Sequence, residues 1–164
     1  SALAILYTMR IWIGAVAIGA PVSSWILGFS YFFFLSLALA KREVDLLKAK
    51  ASSKSKDLRG RGYVSMDEPI IRALGVAMSA GALIFLALYI GDAQALTTFH
   101  HPQFLWALMV LVEVWMARIW ILTFRGEMNS DPVEFATRDR FTWAIAALAV
   151  VIMIFAQLDW SFLN

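Results

Sequence analysis

The chain contains no cysteine at all. Disulfides and thiolate metal sites are therefore excluded. Its two histidines, His100 and His101, are adjacent and have no Cys or carboxylate ligand set close by, which reads as a solvated pair rather than a metal site. Because no other histidine exists, a Ser/His/Asp set cannot be assembled on the side where the charge lies. Asn129-Ser130-Asp131 lacks the Ser or Thr of a glycosylation acceptor. An initiator Met and a basic leader are both missing, so no signal peptide is expected, and the 164 residues read as a fragment or a processed product.

Charge is the next scarcity. Charged residues are 16% of the chain, against about 25% in soluble domains. Most of them fall in two segments, Lys41–Glu68 and Arg125–Arg140. Elsewhere the chain carries only Arg10, Arg72, Asp92, Glu113, Arg118 and Asp159. The pI near 9.1 thus comes from a loop and not from a basic face, which excludes a nucleic-acid partner.

What is abundant is apolar sequence, at 61%. The runs are Ser1–Gly19, Val22–Ala40, Pro69–Ile90, Pro102–Phe124 and Phe141–Leu163. Each is near the ~20 residues that a helix needs to cross about 30 Å of hydrocarbon. Isolated strands would leave amides unpaired in lipid. The expected fold is all-α: a polytopic transmembrane bundle of about five spans, forming one domain over residues 1–164. Gly19-Ala20-Pro21 separates the first two runs. Asp131-Pro132-Val133-Glu134 reads as a capping box, so a short surface helix should precede the fifth span.

Five spans place Lys41–Met66 and Arg125–Arg140 on one side of the membrane. That side has all the loop Lys and Arg, and the other side has none. The positive-inside rule puts the charged loops in the cytoplasm. Trp25, Tyr89, Trp106 and Trp160 fall near the outer interface and Trp120 and Trp143 near the inner one, as an aromatic belt.

Lys41, Asp45 and Lys48 stand at i, i+4 and i+7 and share one helical face. A carboxylate between two ammonium groups suits a phosphate and Mg²⁺, which takes one or two carboxylates plus substrate phosphates. The same spacing also describes an ordinary surface ion pair. Arg59-Gly60-Arg61-Gly62-Tyr63 adds two guanidinium groups on a flexible backbone, suited to phosphate or to anionic headgroups. Arg10 lies mid-span, where an Arg costs at least ~2.5 kcal/mol, so it should face the bundle interior and have a partner. Glu113 is the carboxylate at comparable depth. A structural Arg10–Glu113 pair and a phosphate anchor are both open. Arg118 and Arg125 share a face near the interface, where snorkelling is the simpler account.

The run Leu39-Ala40-Lys41-Arg42-Glu43-Val44-Asp45-Leu46, followed by Arg59-Gly60-Arg61-Gly62-Tyr63, resembles the UbiA-type polyprenyltransferase superfamily. It is most like a branch that includes phosphatase-fused members and is related to decaprenyl-phosphate phosphoribosyltransferases. Tyr7-Thr8-Met9-Arg10 resembles the family's fifth helix. Arg118-Ile119-Trp120, Arg125-Gly126-Glu127-Met128 and the run from Asp131-Pro132 to Arg138-Asp139-Arg140 resemble its eighth-to-ninth helix connection. The resemblance implies helices five to nine of a nine-helix fold, with prenyl diphosphate held by Mg²⁺ at a lateral cavity.

The family's first Asp-rich loop is not in this chain, and Lys41 stands where its second loop has an acid. The resemblance therefore assigns Lys41, Arg42 and Asp45 to catalysis, Asp45 to Mg²⁺, and Arg10, Arg59, Arg61, Tyr63 and Arg118 to substrate. It implies a polyprenyl diphosphate or phosphate lipid as ligand, the bacterial cell membrane as location, and a missing N-terminal half or partner helices. Prenyl transfer is the expected reaction. Phosphoribosyl transfer to a polyprenyl phosphate, and a non-catalytic lipid-binding subunit, are the alternatives. The isolated chain is expected to be inactive.

Overall fold

A computed structural model describes residues 2–19, 22–51, 67–128 and 131–158. Among these residues every regular element is a helix. The order is α1 (Ala2–Ala17), α2 (Ser24–Ala51), α3 (Glu68–Ile90), α4 (Ala93–Thr98), a single 3₁₀ turn (Pro102–Phe104), α5 (Leu105–Phe124), α6 (Pro132–Arg138) and α7 (Arg140–Gln157). Four helices are long and apolar enough to cross a membrane: Ser24–Lys50, Glu68–Ile90, Pro102–Phe124 and Arg140–Gln157. The fifth apolar helix, α1, has 16 residues, or about 24 Å at 1.5 Å per residue. The chain is an all-α integral membrane bundle of about five spans.

Helix α2 is the hub. It runs unbroken past the apolar run into the first charged segment, ending at Ala51. One side meets α1, where Tyr7 stacks on Phe34 at 4.8 Å. A second side meets α5, where Phe33 stacks on Trp115 at 5.7 Å. A third meets α3, where Phe32 stacks on Phe85 at 5.1 Å. Consecutive residues of a helix point about 100° apart, so three successive phenylalanines reach three different neighbours.

A polar knot ties α2, α3 and α5 within the apolar core. Trp120 Nε1 donates to Ser36 Oγ at 3.0 Å, and Ser36 Oγ donates to the Gly75 carbonyl at 2.8 Å. Small residues allow this approach, as is usual between helices in lipid. A Cβ on Gly75 would stand 2.1 Å from the Trp120 ring. Trp120 is 6% exposed. It is therefore a core residue and not a member of an inner aromatic belt, because its indole N–H has a buried acceptor. Trp25, Trp106 and Trp143 are exposed, as a belt requires, and Trp160 lies outside the described residues.

The surface helix expected before the last span is α6. Asp131 caps it by accepting from the Val133 amide at 3.0 Å, with Pro132 in the first turn. Glu134 pairs with Arg138 at 3.1 Å rather than closing a reciprocal capping box. Helix α4 was not foreseen. Its only start signal is Asp92, whose side chain accepts from the Ala93 amide. His101 donates its backbone N–H to the Ala156 carbonyl at 3.0 Å, tying that connection to the end of α7.

Candidate functional site

The charged segments meet at one end of the bundle. Lys41, at the end of the apolar part of α2, extends its ammonium to the Asp131 carboxylate at the start of α6. The two side chains are 44% and 33% exposed, so the pair sits at a polar boundary and not in the core. Directly beside it is a cavity of about 50 Å³, with walls from Leu3, Tyr7, Phe34, Leu37, Ala38 and Val133. One end of this cavity is apolar and the other carries a cation and an anion. Burial raises the Asp131 pKa, but the Lys41 hydrogen bond, the Val133 amide and the Lys41 charge outweigh it, and the net shift is downward.

A second junction lies nearby. Arg118 on α5 grips Asp139 through both terminal nitrogens, one at 3.2 Å. Its guanidinium also lies over the Phe141 ring at 4.4 Å. Asp139 caps α7 by accepting from the Thr142 amide and hydroxyl, each at 2.9 Å. Trp115 Nε1 donates to the same hydroxyl at 3.1 Å. The Arg118 hydrogen bond leads the causes that hold the Asp139 carboxyl down at about 2. Behind this chain of contacts is an apolar groove of about 190 Å³ between α2, α5 and α7, with Phe33, Val112, Trp115 and Ile145 among its walls. Arg118 is thus bound into a joint, where snorkelling alone would have left it reaching for water.

A third junction fastens α2 to the start of α3. Glu43 is fully buried, and its Oε1 accepts from Arg72 Nε at 2.9 Å and from Nη2. Arg72 also donates to Glu68 at 2.7 Å and covers the Phe124 ring at 4.2 Å. Lys50 pairs with Glu68. Two acids and two bases therefore hold the last turns of α2 to the first turn of α3.

Of the residues expected to form the site, Lys41, Arg42 and Asp45 follow one another on α2 at this end, all half-buried. Arg59, Arg61 and Tyr63 lie outside the described residues. Arg118 belongs to the neighbouring joint. Arg10 is exposed on α1, with its guanidinium 5.6 Å from the Tyr7 ring centre. Glu113 is exposed on α5. The expectation that Arg10 faces the interior is corrected, and no ion pair joins it to Glu113 among the described residues. Within this bundle each stands on the outer face of its own helix.

Sequence reasoning missed Glu43, Arg72 and Asp139 as structural partners, and it saw Asp131 only as a cap. Asp139 had a signal, since it stands three residues before Thr142 at the start of an apolar run. The other pairings span 29 and 90 residues and leave no local pattern.

Among the described residues no group of three or more His, Asp or Glu side chains gathers to hold a metal. The described donors alone therefore do not cage Mg²⁺. An ion on Asp45 would take its other ligands from phosphate and water.

These features define the chain as an integral membrane helical bundle with a paired-charge end. No family profile matches it, and no solved structure does. It is 35% identical over 153 residues to the uncharacterized protein y4nM of Sinorhizobium fredii, a match covering 93% of this chain and 30% of the relative. It is 35% identical over 138 residues to the nodulation protein NoeC of Azorhizobium caulinodans, covering 84% of this chain and 44% of the relative. The chain spans less than half the length of these curated relatives.

Proposed function

We propose that the chain is part of a UbiA-type membrane transferase that acts on a polyprenyl diphosphate or phosphate. The single observation that supports this most is the Lys41–Asp131 pair at the mouth of an apolar-walled cavity. A polyprenyl phosphate has the complementary form, an anionic head on a hydrocarbon tail. In this reading Lys41 and Arg42 contact phosphate, and the family resemblance assigns Arg59, Arg61 and Tyr63 to the same ligand. Asp45 is the protein ligand for Mg²⁺ arriving with the phosphate, and the ion would offset charge on the phosphate oxygens. Asp131 holds the Lys41 ammonium in place until the lipid head takes over. The prenyl group passes from its diphosphate to an acceptor at the cytoplasmic face, and the loop charge asymmetry supports that orientation. Further helices, from a missing N-terminal half or a partner, cover the outer faces of α1 and α5.

A second reading is phosphoribosyl transfer onto a polyprenyl phosphate. It is favoured by the small number of carboxylates at the cavity, where one ammonium faces one acid. In this reading the lipid at the cavity is the monophosphate acceptor, whose phosphate oxygen forms the new bond to ribose, and the diphosphate that leaves comes from the phosphoribosyl donor.

Membranes carrying the whole polypeptide test both readings with two labelled donors, a polyprenyl diphosphate and a phosphoribosyl diphosphate. Label moving from the first to an acceptor supports prenyl transfer, and label moving from the second onto polyprenyl phosphate supports the alternative. Lipid binding with neither transfer would leave a non-catalytic subunit. In the active assay Asp45→Asn should abolish turnover, whereas Lys54→Ala and Lys56→Ala should be nearly silent.

A further inference from the structure

Helices α2 and α3 are joined by polar contacts that fall on one line. Ser36 donates to the Gly75 carbonyl, Glu43 accepts from Arg72, and Lys50 pairs with Glu68. The three α2 residues stand seven apart, close to two helical turns, so they lie on one face. Their partners on α3 stand three and four apart, also on one face, and run in the opposite sense. Glu43 is the middle member, and like Ser36 it is fully buried. Its Oε1 takes both Arg72 bonds, while its Oε2 has no hydrogen-bond partner among the described residues. Arg72 is itself fixed from two sides, by Glu68 one turn earlier and by the Phe124 ring. The next residue of α2, Val44, belongs to the core cluster of Met116 and Met128. Adjacent residues of a helix point about 100° apart, so these two contacts leave α2 one rotation at this level.

That rotation aims the candidate site. Lys41, Arg42 and Asp45 fall within an arc of about 100° on α2, and Glu43 lies about 150° from the middle of that arc. We infer that Glu43 is a positioning residue: its bond to Arg72 on the back of α2 turns Lys41 toward Asp131 and keeps Arg42 and Asp45 on the same front. It acts through those three side chains and touches no ligand itself. An acid suits this task because a buried carboxylate cannot leave its partner cheaply. Turning α2 would strand that charge away from Arg72, and a buried charge without its partner is strongly destabilising. Apolar contacts are non-directional and would set the angle less sharply. The inference rests on the proposed role of Lys41 in holding a phosphate, and it adds the residue that puts Lys41 in place.

The test uses membranes carrying the whole polypeptide, with any cysteine outside residues 1–164 replaced, since this chain has none. Lys41→Cys with Asp131→Cys reports the front of α2, through the rate of capture by a short bifunctional thiol reagent. Phe32→Cys with Phe85→Cys reports the α2–α3 contact deeper in the apolar core, where the rings stack at 5.1 Å. Glu43→Met keeps the volume and removes the bond to Arg72, so it should slow the first cross-link at least tenfold and spare the second. Glu43→Gln keeps an oxygen for Arg72 and should leave both rates within about twofold. With Lys41 and Asp131 intact, polyprenyl phosphate binding should follow the first cross-link, falling at least tenfold in Glu43→Met and persisting in Glu43→Gln. An unchanged rate at 41 and 131 in Glu43→Met would overturn the inference. So would an equal loss at both pairs, a Glu43→Gln variant as impaired as Glu43→Met, or a lost cross-link with binding unchanged. If the unaltered polypeptide binds no polyprenyl phosphate, the lipid reading fails, and the two cross-links still decide whether Glu43 positions Lys41.

Discussion

Lys41 and Asp131 lie ninety residues apart in the chain and meet as an ion pair at the edge of an apolar cavity. This contact joins the two charged segments and sets an ammonium and a carboxylate beside the apolar walls of that cavity. Partly exposed pairs of this kind contribute about 0.2–1 kcal/mol to stability. The pair therefore adds little to fold stability, and in the proposed function its part is to hold the Lys41 ammonium for phosphate.

That difference can be measured. Lys41→Met should lower the thermal midpoint of the detergent-solubilised protein by little, since about 1 kcal/mol is the upper bound for such a pair. In membranes with the whole polypeptide it should reduce polyprenyl phosphate binding at least tenfold. A large loss of stability with unchanged binding would make the pair a structural clasp.

Packing at Gly75 should be far less tolerant. Gly75→Ala places a methyl 2.1 Å from the Trp120 ring, so something must shift. Overpacking of this kind costs about 1–3 kcal/mol. Trp120→Phe removes the hydrogen bond to Ser36, and interhelical hydrogen bonds in membranes average about 0.6 kcal/mol. Denaturant titration in detergent should rank Gly75→Ala as the worse of the two polar-knot variants.

Acid should loosen the joint between α5 and α7. The Asp139 carboxyl is held at about 2, below its ordinary value of 3.8, chiefly by the Arg118 hydrogen bond. A depressed carboxylate contributes stability that is fully present above the ordinary value and is lost as pH falls through the folded one. The melting midpoint should therefore drop between about pH 4 and pH 2, and Asp139→Asn should flatten that part of the curve. Asp131, also shifted downward, acts in the same direction.

The loop charges predict an orientation that labelling can check. Single cysteines at Ser53 and Thr98, in a chain with none of its own, report on opposite sides of the membrane. An impermeant thiol reagent on intact cells should label position 98 and spare position 53. The reverse pattern would place the charged end outside.

The membrane-spanning runs were legible because lipid forces them: a helix crossing hydrocarbon must be apolar along nearly its whole length. The α6 cap was legible for a local reason, since Asp131-Pro132 acts within one turn. The extension of α2 through Lys41 and Asp45 was legible from helical spacing. Trp120 was misplaced because hydropathy records its depth and not its direction, and direction is fixed by Ser36 on another helix. Arg10 was misdirected for the same reason, since its cost in lipid predicts a partner but not which side of α1 faces it.

Sequence by itself determined that this chain is helical, membrane-embedded and charged at one end, because those properties follow from the solvent each residue must meet. Only the tertiary structure decided which charges meet. Glu43 with Arg72, Arg118 with Asp139 and Lys41 with Asp131 are pairings between separate helices. Such pairings depend on how helices rotate and pack around α2, and steric fit among Gly75, Trp120 and the three consecutive phenylalanines sets that rotation.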